Sequence, residues 1–78
     1  MHMRVLMKVS GDYVAQEIIS AKYDTFENVL VITTATAIYE IPLATITGKT
    51  AMSDLIKFGY YDFSEYPVKN KYNKENVV

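Results

Sequence analysis

Apolar and polar residues alternate from Met3 to Val9: Met3, Val5, Met7 and Val9 fall on one side, Arg4, Leu6 and Lys8 on the other. A period of two predicts a strand with one buried face. Ser10-Gly11-Asp12 is a turn signal, with Gly11 free to take positive φ. Tyr13 to Tyr23 continues the alternation imperfectly, because Ile18 and Ile19 are adjacent. Turn signals at both of its ends favour a hairpin strand, with the Ile pair marking a bulge or two-sided burial. A helix over 13–23 is the alternative, since Val14, Ile18 and Ala21 would share a face.

Asp24 to Asn28 forms the next turn, and Val29 to Ile41 is rich in Val, Ile, Thr and Tyr, the residues suited to a pleated surface. Thirteen residues exceed the usual strand of about five or six, so two strands are expected with a bend near Thr34-Ala35-Thr36. Pro42 lacks an amide hydrogen and stops the ladder. Thr45-Ile46-Thr47 is expected to resume an extended path, and Thr50 to cap a short helix. Ala51, Met52, Leu55 and Ile56 would line its buried face, and Gly59 is placed to end it. Regular patterning is lost from Tyr60 onward.

The fold class expected is mainly β: a small antiparallel sheet or five-stranded barrel with one short C-terminal helix. In architecture alone, strand, tight turn and short strand around Pro42 resemble the last corner of small Sm-like barrels. Residues 1–68 are expected to form one compact domain and 69–78 a flexible basic tail.

Composition narrows the chemistry. The chain has 78 residues, half of them hydrophobic, too many for a disordered chain. Lys and Arg number 8 against 9 Asp and Glu. The body to Val68 is acidic, with Arg4, Lys8, Lys22, Lys49 and Lys57 facing eight carboxylates, while Lys69, Lys71 and Lys74 make the tail basic. This balance argues against a surface built for duplex nucleic acid. Absence of Cys removes disulfides and thiolate metal sites, and fits a reducing cytoplasm. The single His, His2, lies at the terminus and is given no role. Ser10, Ser20, Ser53 and Ser64 have no internal His to act as base, and the carboxylates show no ligand spacing. No catalytic residue, metal or other cofactor is expected. No apolar run reaches the roughly 20 residues that cross a bilayer, and no signal-peptide pattern opens the chain, so membrane association is not expected. Gly48-Lys49-Thr50 matches the end of a phosphate-binding loop, but the earlier glycine that curls such a loop is replaced by Leu43.

The aromatic residues then stand out. Phe58, Tyr60, Tyr61, Phe63 and Tyr66 fall within ten residues, among Asp54, Asp62 and Glu65, with Lys57 as partial offset. Phe58 and Phe63, together with Leu55 and Ile56, are expected to cover an open end of the sheet. Tyr60, Tyr61 and Tyr66 are expected to remain at the surface, where tyrosine supplies large rigid area with a polar tip. The expected function is therefore a non-enzymatic protein-interaction module. Its docking residues are Asp54, Tyr60, Tyr61, Asp62, Glu65 and Tyr66, and its partner carries a basic surface. Self-association is expected as well, through unpaired strand edges or the tyrosines, because so short a chain has a small core. The alternative is a small barrel that stacks single-stranded nucleic acid on its aromatics. The local carboxylates oppose it, because a phosphate backbone would be repelled.

Overall fold

A computed structural model describes residues 3–73. The described residues are mostly β, with one helix and two small sheets. Strands β1 (Met3–Val9) and β2 (Asp12–Ile18) form an antiparallel hairpin with Val9 opposite Asp12. Its two-residue loop has φ of 53° at Ser10 and 87° at Gly11. Two successive positive φ values give the type I′ twist that matches the strands on either side. Val5 and Met7 are buried on the inner face and Arg4 and Lys8 are exposed, as the alternation predicts.

Residues 13–23 are strand throughout except for one corner. Ile18 is buried while Ile19 is 66% exposed, and the Ile19 amide donates to the Thr33 carbonyl at 2.7 Å. At that corner the chain leaves the first sheet and continues as β3 (Ser20–Asp24) in the second. The adjacent isoleucines thus mark a bend between sheets, one side chain turned in and the other out.

β3 pairs antiparallel with β4 (Val29–Thr33), and β4 with β5 (Ala37–Pro42). Asp24 organises the first loop by accepting from the Phe26 and Glu27 amides at 2.8 and 3.2 Å, and Asn28 takes φ 55° before β4. The second loop, which lacks Gly and Asn, turns on Thr34. Its buried hydroxyl oxygen accepts from the Ala37 amide at 2.9 Å and the Thr36 amide at 3.3 Å. A threonine side chain here does the work usually assigned to Asn or Asp.

Two expectations for the following segment are corrected. Thr45–Thr47 is not extended, and Thr50 is not a cap: helix α1 spans Thr45–Phe58, and its N-cap is Ala44. Pro42 ends the ladder, the Leu43 amide donates to the Asn28 carbonyl, and buried Leu43 fixes the chain so that the helix starts at once. Gly48, Ala51 and Leu55 form its buried stripe, at the spacing of a helix face. Ile56, assigned to that face from sequence, is 61% exposed. Tyr23 explains the early start. Its ring occupies the space where a Cβ on Gly48 would overlap Cε1 and Cδ1, and its hydroxyl donates to the Leu43 carbonyl at 2.7 Å. Close ring packing on a bare backbone outweighs the weak helix propensity of Thr and Gly. Gly48-Lys49-Thr50 therefore lies inside a helix, and no phosphate loop exists there. At the other end Gly59 takes φ 71° and its amide donates to the Leu55 carbonyl at 2.9 Å, as its position predicts.

The chain then adds β6 (Tyr60–Asp62), parallel to β1, giving a first sheet of order β2-β1-β6. Residues 69–73 are not part of a flexible tail. They form β7 (Lys69–Asn73), antiparallel to β5, and complete a second sheet of order β3-β4-β5-β7. The rest of the expected tail, 74–78, lies outside the described residues. The fold is thus two open sheets and a helix, and the barrel is not closed. Val5, Met7, Leu30, Ile32, Ile41, Leu55 and Phe63 form the fully buried centre. Gln16 Nε2 donates to the Tyr39 hydroxyl at 3.3 Å, tying one sheet to the other.

Candidate docking surface

The segment after α1 is shaped by two short constraints. The Gly59 reversal drops Tyr60–Asp62 beside β1, where Arg4, Val5 and Leu6 pair with Tyr60, Tyr61 and Asp62. The Arg4 amide donates to Gly59 and the Phe63 amide to Leu6, so this short strand is pinned at both ends. Asp62 then accepts from the Ser64 amide at 2.8 Å, and the Tyr66 amide donates to Phe63, which folds the chain back.

Alternation along β6 sorts its side chains. Tyr61 shares the inward side with buried Val5, and Tyr60 and Asp62 share the outward side with Arg4 and Leu6. Phe63 is fully buried and holds a ring on either side: Tyr61 at 4.6 Å between centroids, tilted, and Tyr66 at 6.4 Å, edge-on. Both arrangements fit the ring quadrupoles and fix the two tyrosines at the rim of the core. Both remain partly exposed.

Asp54 on α1 and Asp62 complete the cluster. Burial is the main cause that raises the Tyr61 hydroxyl pKa above the ordinary tyrosine value, and Tyr66, Asp54 and Asp62 add to it in that order. Hydrogen bonds from the Ser64 side chain and amide lower the pKa of the Asp62 carboxyl. Among the described residues neither Asp54 nor Asp62 forms an ion pair. Lys57, expected to offset this rim, holds its Nζ 5.5 Å from the Phe58 ring centroid.

Of the six residues singled out from sequence, Tyr61 and Tyr66 flank Phe63, and the charges of Asp54 and, from the outer side of β6, Asp62 act on the Tyr61 hydroxyl. Two do not join them. Tyr60, 47% exposed, turns to the outer face beside Arg4, and Glu65 is exposed in the turn before Tyr66. Phe58, assigned to the core from sequence, is 69% exposed, because it falls off the buried helical stripe. Sequence reading does not single out two other exposed aromatics. Tyr13, on the outer face of β2, lies under Lys8 with 5.5 Å from Nζ to ring centroid, and Phe26 tops the β3–β4 loop. The strand period predicts the first, while the second follows only from the loop geometry that Asp24 sets.

Among the described residues no three of His, Cys, Asp and Glu gather as a metal site would require, and no helix is long and apolar enough to cross a membrane. Compared with known proteins, the chain matches no protein-family model, no curated protein and no solved structure.

Proposed function

We infer that this chain is a non-enzymatic interaction module of the cytoplasm. It docks on a basic protein surface through Asp54, Tyr61, Asp62 and Tyr66. The observation that carries the reading is the cluster itself: two carboxylates without ion pairs among the described residues, beside two half-buried tyrosine rings clamped by Phe63. A ring already held in place gives contact area at little entropic cost. Carboxylates steer and orient Lys and Arg on a partner. The same charges repel a phosphate backbone, which separates this reading from single-strand nucleic-acid binding.

The test is a titration of isotope-labelled protein with an Arg-rich peptide. Amide shifts are expected at Asp54, Tyr61, Asp62 and Tyr66, and they should disappear in the Asp54→Asn, Asp62→Asn double variant. Unchanged binding by that variant would refute the reading.

A further inference from the structure

We propose that the outer face of the second sheet is a self-complementary interface, through which two copies of this chain form a symmetric dimer. This surface is separate from the tyrosine cluster, and the proposal stands without it.

The inner sides of β4 and β5 carry buried Leu30, Ile32, Ala37, Tyr39 and Ile41. The outer sides carry Val29, Val31, Thr33 and Ile38, each only half buried. An outward antiparallel face normally carries polar residues, so four β-branched side chains on two neighbouring strands call for a cover. Register fixes where the charges stand among them. Lys22, Val31 and Glu40 are level on β3, β4 and β5, and so are Ser20, Thr33 and Ile38. Lys22 has no ion-pair partner among the described residues, and Glu40 has Lys71 at 3.8 Å.

Two-fold arrangements that stack this face on itself differ in which charges they bring together. An axis across the strands at the level of Val31 sets Lys22 on Lys22 and Glu40 on Glu40. An axis between β4 and β5 lays β3 on β7, and Lys22 meets Lys69, which is level with Glu40. An axis along β4 avoids both conflicts. It lays Val29, Val31 and Thr33 on their own copies and sets β5 of the second copy over β3. Lys22 then faces Glu40 of the second copy, twice by symmetry. Ile38 of the second copy lands level with Ser20, over a concavity of about 300 Å³ that Ser20, Lys22, Val31 and Thr33 help to line. Apolar centre, flanking opposite charges, knob and hole all satisfy the isologous rule that a patch must match itself. Three overlapping strands, each about 4.8 Å wide, and five residues rising about 3.3 Å each give a contact of roughly 15 by 17 Å. That size belongs to weak, concentration-dependent dimers.

The test is sedimentation equilibrium of the full chain from about 1 µM to about 1 mM, the range where weak contacts titrate. Wild type should pass from one to two chain masses. Lys22→Glu and Glu40→Lys should each weaken association by roughly tenfold or more, since each sets two like-charge contacts. An equimolar mixture of the two variants should regain the dimer. In the mixed pair both contacts again join an ammonium to a carboxylate: native Lys22 of one copy faces native Glu40 of the other at one, and the two substituted side chains face each other at the second. Circular dichroism confirms that each variant is folded. A single-chain mass for wild type throughout, association insensitive to either reversal, or a mixture that stays monomeric would each overturn the proposal.

Discussion

Gly48 and Tyr23 show how one pair of residues decides where a helix begins. Glycine in a helix interior costs about 1 kcal/mol relative to alanine, yet here the missing Cβ is the space that the Tyr23 ring fills. Gly48→Ala should therefore destabilise the protein by about 1–3 kcal/mol through overpacking. With Tyr23→Ala as background the same change should be stabilising, by up to about 1 kcal/mol. Urea unfolding of the four proteins of this cycle measures the reversal of sign, and an additive result would show that the ring contact is not what requires glycine. Tyr61 makes a second residue-scale prediction. Its hydroxyl pKa is raised above 10.0 by burial and by Tyr66, Asp54 and Asp62. The unfolded chain therefore releases this proton first as pH rises. The stabilisation is complete below the ordinary tyrosine range and is lost as pH climbs through the folded value. From about pH 9 to about pH 11, wild type should lose more unfolding free energy than Tyr61→Phe. Equal slopes in urea titrations would contradict this.

At the scale of elements, the strands are legible because their cause is local. Period-two alternation marks β1, turn residues bound the stretch that holds β2 and β3, and β-branched composition and length mark β4 and β5, while Ile18-Ile19 signals a bulge or two-sided burial and not the corner between sheets that lies there. The turn at Thr34 carries no Gly or Asn signal, and what makes it is a buried hydroxyl that accepts two amides. The start of α1 is not legible, since Thr45, Ile46 and Thr47 individually favour extended backbone and only the contact with Tyr23, distant in sequence, overrides them. Nor is β7 legible. Lys69–Asn73 has the composition of a solvated tail, but β5 presents an edge that it covers, with a register shift between Ile38 and Tyr39. Lysines on an outermost strand also discourage further edge pairing. A chain ending at Val68 should accordingly lose a few kcal/mol of stability, the sum of several ladder hydrogen bonds at about 1 kcal/mol each. One ending at Asn73 keeps these bonds and serves as the reference. Equal thermal midpoints for the two truncations would show that β7 contributes nothing.

The whole molecule explains which part of the candidate surface can be read in advance. Sequence proximity points to the stretch between Asp54 and Tyr66, and the fold sets Tyr61 and Tyr66 on either side of Phe63, with the charges of Asp54 and Asp62 acting on Tyr61. Proximity alone does not say which tyrosines sit together. That depends on β6 pairing with β1, which turns Tyr61 inward and Tyr60 outward, a contact between segments more than fifty residues apart in sequence. The same long-range pairing leaves Phe63 as the buried support, while Phe58 stays on the exposed side of the helix. The function proposed for this supported acidic tyrosine cluster is recognition of a basic protein surface. Amide shift mapping tests it most directly, with an Arg-rich peptide in one arm and a single-stranded oligonucleotide in the other. Salt-sensitive shifts are expected at Asp54, Tyr61, Asp62 and Tyr66 with the peptide and none there with the oligonucleotide. Shifts of these residues by the oligonucleotide, or peptide shifts only elsewhere on the molecule, would contradict it.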